Sequence, residues 1–190
     1  MKATEIENAS LWETLNIESI SFERSMDTLH RKQTGSYYTS LDLTYAMMKE
    51  LVSSFDDIDR NKIYTKTFLE PCVGTGNFVF AYLRVCKELG FNTEENIVLL
   101  NNIYVCDING MALKVYERNL RKVAQEWFEI SLTDDYFRKH VGCGVLFDVD
   151  AGHIEYIPIT ERFDLEIVDA GFDIIVTNPP IINLKAERAQ

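Results

Sequence analysis

Four residues of this chain, Glu70, Asp107, Asp148 and Asn178, each close a run that reads as a β-strand. Carboxylates and a side-chain amide gathered on one rim would serve a ligand rich in cationic groups, hydroxyls or amines. Between Glu70 and the next helical pattern lies Gly74-Thr75-Gly76-Asn77-Phe78. Its glycines permit backbone conformations and close approaches that a side chain would block. The turn is not a dinucleotide fingerprint, because Val79 stands where the third glycine is needed, and it is not a P-loop, because no lysine follows. Glu70 would moreover repel a pyrophosphate, whereas an acid at that position suits an ammonium or a sulfonium. Asp107 stands where acids accept hydrogen bonds from ribose hydroxyls in nucleotide-binding folds, although its spacing from Gly76 exceeds the roughly 20 residues usual there. In Asn178-Pro179-Pro180, two prolines fix φ and remove two N–H donors. The Asn178 amide oxygen and a free main-chain carbonyl then form paired acceptors suited to an exocyclic NH2 group.

The elements that must position these groups alternate. Residues 8–32 predict one or two short helices, and 33–40 a loop. Thr39 or Ser40 then caps a helix in which Leu43, Met47 and Leu51 recur at helical spacing, with Thr39-x-x-Asp42 as a capping-box pattern. A short β-run over Thr65–Leu69 leads to the glycine turn. Phe78, Tyr82, Val85 and Leu89, with Val79, Leu83 and Cys86 beside them, predict a broadly buried helix. Ile103–Cys106 reads as a second strand. Leu113, Tyr116, Leu120, Val123 and Trp127 mark another helix, Gly144–Phe147 a third strand, and Phe172–Thr177 a fourth. The continuous apolar run of that last strand predicts cover on both faces. Strands alternating with helices imply an α/β fold with a parallel sheet and right-handed crossovers, whose ligands sit at the carboxyl ends of the strands. The division expected is an N-terminal helical segment over 1–33 and an α/β portion over 34–190.

Composition narrows the classes of function. The 190 residues carry 19 basic and 30 acidic side chains, a net charge of −11, with 46% hydrophobic and 26% charged residues. Such a chain folds around a core rather than remaining disordered. Its acidity opposes tight binding to DNA or anionic membranes by charge alone, so any nucleic-acid substrate needs a local patch or a second polypeptide. The four cysteines, Cys72, Cys86, Cys106 and Cys143, lie far apart, and the three histidines show no ligand spacing. Reduced thiols and no structural zinc are therefore expected. The N-terminus carries acids where a signal peptide needs bases and an apolar run, and no segment is long and apolar enough to span a bilayer, so the expected location is cytoplasmic.

Together, Gly35-Ser36-Tyr37-Tyr38-Thr39, the run Phe68-Leu69-Glu70-Pro71-Cys72-Val73-Gly74-Thr75-Gly76-Asn77-Phe78, Asp107, and Phe172 through Pro180 resemble the ordered motifs of S-adenosylmethionine-dependent DNA adenine-N6 methyltransferases. The order resembles the gamma group of restriction-modification and phage-defence systems, and the likeness covers about residues 34–181. It implies a Rossmann-like class I methyltransferase fold, truncated after the fourth strand. It further implies that Tyr38 and Thr39 contact the methionine end of S-adenosyl-L-methionine and that Glu70 sits by its ammonium. Cys72, Gly74, Gly76 and Asn77 would line the cofactor, with Asp107 holding the ribose and Ile108 against the adenine. Asp148 would bond the adenine amino group, while Asn178, Pro179 and Pro180 bind the target amine. The target base would be flipped out of the duplex. Cys72 belongs to the cofactor strand and is not expected to act as a nucleophile.

The sequence also departs from this pattern. Ile181 stands where the family usually stacks an aromatic residue on the flipped base. Such stacking is worth ~1–3 kcal/mol, so target binding should weaken by about one to two orders of magnitude. Ser40 replaces a frequent proline, and the further strands and target-recognition domain of the family are not encoded. The expected partners are DNA engaged through a recognition domain or another chain, a complementary methyltransferase fragment, a specificity or restriction subunit, or a second copy paired along the last strand. A non-catalytic cofactor-binding or regulatory protein, and a protein or RNA methyltransferase, remain alternative readings.

Overall fold

A computed structural model describes residues 10–26, 39–144, 147–150, 153–156, 163 and 171–179. Helix α1 (Leu11–Ser25) starts at a capping box in which the Ser10 hydroxyl accepts from the Glu13 amide and the Glu13 carboxylate accepts from the Ser10 amide. Helix α2 (Leu41–Ser54) follows Thr39, and a short helix α3 (Asp57–Asn61) is capped by Asp56. After a 3-10 turn at Ile63–Thr65 the chain runs through β1 (Phe68–Glu70), α4 (Asn77–Leu89), α5 (Thr93–Asn101), β2 (Ile103–Asp107), α6 (Gly110–Phe128), α7 (Asp134–His140) and β3 (Val141–Cys143). Strands β4 (Phe147–Asp150) and β5 (His153–Tyr156) form a hairpin, and β6 (Ile174–Ile175) returns to the sheet.

The main sheet has the order β3-β2-β1-β6, and every pairing in it is parallel. Alternation along each strand divides the core in two. Phe68, Ile103, Val105 and Ile174 join the helices in one large cluster, while Leu69, Tyr104 and Cys106 face Phe163 on the other side, with Phe172 packed against them. The chain is thus an α/β protein compatible with a Rossmann-like fold, and its β1–α4 and β2–α6 units match the strand–helix alternation of the sequence. Residues Asn77–Leu83 are all buried, as the two apolar faces of that helix require.

Four expectations are corrected. The third strand of the sheet is Val141–Cys143, not Gly144–Phe147. Phe147–Asp150 instead pairs antiparallel with His153–Tyr156 in a separate two-stranded sheet, which sets Asp148 opposite Glu155. Helix α2 buries Leu41, Thr44, Met48 and Val52, leaving Leu43 and Met47 exposed, because the stripe facing the core is one step removed from the one with the larger side chains. Its cap is Ser40, whose hydroxyl accepts from Leu43, and no capping box involves Thr39. Finally, the FDIIVT run forms ladder pairs only at Ile174 and Ile175. Ile174 is 4% exposed but Ile175 is 61% exposed, so among the described residues the two faces of this strand are unequally covered.

Candidate functional site

Each wall of the site begins with a strand that ends in an acid. Strand β1 delivers Glu70 beneath the first turn of α4. The helix starts at Gly76 with no side-chain cap, and the Val79 amide donates to the Glu70 carboxylate instead. Glu70 is 2% exposed, and among the described residues its Oε2 has no hydrogen-bond partner. Burial, reinforced by the charge of Asp107, holds its carboxyl well above the usual carboxylate range, against the opposing pull of the Val79 amide. A buried carboxyl with one oxygen unsatisfied is costly, and a cationic donor brought to that oxygen would relieve the cost.

Strand β2 delivers Asp107. Its Oδ2 accepts from the Gly74 amide at 2.7 Å and its Oδ1 from the Asn109 amide at 2.8 Å. Two such bonds leave about two of the roughly four lone-pair positions of a carboxylate for a ligand. Burial raises the pKa of Asp107, while the bonds from Asn109 and Gly74 work to lower it. Ile108 and Met111, just beyond, are exposed apolar groups at the mouth of the same wall.

The glycine turn joins the two walls. The Val73 amide donates to the Cys106 carbonyl, which ties the turn to β2. Gly74 and Gly76 have φ of 54° and 101°, in the region that disfavours side chains. A Cβ on Gly76 would also meet Tyr116 Cδ2 at 2.5 Å and Phe80 Cε2 at 2.8 Å. The second glycine is therefore required by packing as well as by backbone conformation, whatever lies on the other side of the turn.

The third contribution comes from α2 and β6. The Asn77 side-chain amide donates to the Thr39 carbonyl at 2.7 Å, and the Asn178 amide donates to Thr39 Oγ1 at 3.1 Å. Thr44 Oγ1 donates to the Asn77 carbonyl, locking the start of α4 to α2. Cys72 bonds the Thr177 side chain, and burial pushes its thiol up, which removes the activation that a nucleophilic cysteine needs. Thr177, Asn178 and Pro179 are exposed.

The described structure thus brings together Thr39, Glu70, Cys72, Gly74, Gly76, Asn77, Asp107 and Asn178, with Ile108 and Pro179 at the rim. Asp148 lies on the hairpin rather than at the end of a strand in the parallel sheet. Tyr38 and Pro180 lie outside the described residues, as does Ile181. The sequence reading passed over Ser19, Thr75 and Thr177. Thr75 sits inside the quoted motif, but Ser19 lies on a helix without motif character, and only the fold brings its hydroxyl to Thr75.

The arrangement is an α/β sheet rim with acids at the ends of adjacent strands around a glycine turn. No protein-family model and no curated protein matches this chain. Among the described residues no group of histidine, cysteine and acidic side chains is arranged to hold a metal, and no helix is long and apolar enough to cross a membrane.

Proposed function

We propose that this chain carries the cofactor site and the target-amine acceptors of an S-adenosylmethionine-dependent DNA adenine-N6 methyltransferase. The observation that carries this reading is the orphaned Oε2 of Glu70, buried one strand away from Asp107. Two acids with raised pKa values call for a ligand with cationic groups and hydroxyl donors, and S-adenosylmethionine offers an ammonium and a ribose diol. Bound there, the cofactor supplies a methyl group on an electron-poor sulfonium. Glu70 would take the ammonium, Asp107 the ribose hydroxyls, and Ile108 an apolar ring face. The Asn178 side-chain oxygen and the Pro179 carbonyl would accept the two hydrogens of the target NH2, drawing its lone pair out of conjugation. Positioning and fixed dipoles would carry the rate, without a covalent enzyme intermediate.

Methyl transfer to DNA would then need a basic recognition surface, which a net charge of −11 disfavours and a local patch or a second polypeptide would supply. A specificity subunit or complementary fragment is the partner this reading asks for. Calorimetric titration with S-adenosylmethionine tests it. Binding is expected, weakened about tenfold to a hundredfold by Glu70→Gln or Asp107→Ala, since each removes a charged hydrogen-bonding partner. NAD should not bind. Equal affinity for NAD, or indifference to both substitutions, would overturn the assignment. Tritium transfer to unmethylated genomic DNA by the chain alone is expected to stay at background.

A further inference from the structure

We propose that Ser19 is a positioning residue for the glycine turn, and that α1 acts as a brace between the two walls of the candidate site. The Ser19 and Thr75 hydroxyls share a hydrogen bond of 2.9 Å across 56 residues of sequence. Ser19 is 3% exposed and Thr75 1%, so water cannot substitute for either partner. Thr75 is the middle residue of the turn, between the two positive-φ glycines. Such glycines have wide conformational freedom, and a side chain anchored between them limits it. The amide directed at Asp107 belongs to Gly74, the neighbour of the anchored residue.

The same helix grips the second wall one residue earlier. Glu18 pairs with Arg118 at 2.7 Å and with Lys122 at 3.0 Å, and both bases lie on α6, the helix that follows Asp107. These two bonds hold the Glu18 carboxylate down against the opposing effect of its partial burial. Adjacent residues of α1 therefore reach the turn after β1 and the helix after β2. Moving one wall without the other breaks a buried bond or an ion pair, so the distance between the Glu70 and Asp107 ends is set partly from outside the sheet.

Hydrogen exchange of the backbone amides at 73–77 tests the brace on the full chain, without any ligand. Ser19→Ala and Thr75→Val should each speed exchange of the Gly74 and Gly76 amides about tenfold, as expected for losing one buried hydrogen bond. The double variant should be no worse than either single one, and Thr75→Ser, which keeps the hydroxyl, should behave like the parent. Leu15→Ala is the control, since Leu15 anchors α1 in the core and its side chain can make no hydrogen bond to Thr75. It should lower the melting temperature while speeding exchange at 73–77 less than Ser19→Ala does. Equal loosening of the turn by Leu15→Ala and Ser19→Ala, at matched loss of stability, would reduce Ser19 to a packing residue and overturn the proposal. A second measurement rests on the function proposed above: Ser19→Ala should weaken S-adenosylmethionine binding about tenfold. Failure of the parent chain to bind the cofactor would count against that function, while the exchange data would still decide the brace.

Discussion

The β1–β2 wall and the β6 end of the same rim are built on opposite principles. In the first, the Glu70 and Asp107 carboxylates are buried or half-buried and each accepts from a backbone amide, and one carboxyl is held in an unfavourable state by its surroundings. In the second, Thr177, Asn178 and Pro179 are exposed just after a strand with two ladder residues, and Asn178 and Thr177 bond the side chains of Thr39 and Cys72. The difference teaches that the buried wall can be preorganised for a ligand at a cost in stability, whereas the exposed end is placed cheaply and depends on its neighbours.

The comparison breaks most sharply at Gly76. Gly76→Ala forces a side chain into positive φ and into the rings of Tyr116 and Phe80. Strain and overpacking together should cost about 4 kcal/mol, read as a shift of the urea unfolding midpoint. A loss under about 1 kcal/mol would mean that the wall is far more plastic than its packing implies.

Acid comes next. His140 is buried between Tyr104 and Tyr136, and the Ile103 carbonyl accepts from its Nδ1–H. Burial, assisted by the charge of Lys139, brings its pKa down to about 4. The unfolded chain takes up its proton near pH 6.5 while the folded chain does not. Stability should be unaffected by this group above that pH, then fall by roughly 3 kcal/mol as pH drops towards 4. His140→Phe, which keeps the stacking, should flatten that acid limb. An unchanged pH profile would locate the acid sensitivity elsewhere.

The smallest effect belongs to the exposed end. Asn178→Ala removes a bond of 3.1 Å between side chains at the surface and should change stability by about 0.5 kcal/mol or less, without altering cofactor affinity. Calorimetry and denaturation on one sample check both. A large loss of either would show that the two regions are coupled more tightly than their burial indicates.

Much of the first region was legible because one kind of signal specified it at several levels. The Phe78–Cys86 and Leu113–Val123 spacings mark helices whose inner faces are buried as read. The Glu70 and Asp107 strand ends follow from apolar runs that stop at an acid. The other half was harder for physical reasons. Phe147–Asp150 has strand character, but nothing local distinguishes a hairpin strand from the third parallel strand expected at 144–147. The apolar run at 172–177 looks doubly covered, yet Ile175 is 61% exposed among the described residues. Helices α5 and α7 carry short polar starts, Asn92-x-x-Glu95 and Thr133 before Asp134, and their caps were the available signal. Ser19 could not be found from sequence at all, since its partner is set by tertiary packing.

One clasp bears on the order in which these regions come into being. The Thr67 amide and hydroxyl both donate to Asp173, and the Asp173 amide donates back to Thr67 Oγ1, joining residues 106 apart. Strands β1, β2 and β3 meet through much nearer segments, so their half can condense on local contacts first. Closing the longer loop adds only modest entropy, because each doubling of length costs about 0.6 kcal/mol, but non-local pairing is slow. Strand β6 should therefore dock last and leave first, and while the chain is being synthesised the Glu70 and Asp107 ends would be assembled before Asn178 has a place to go.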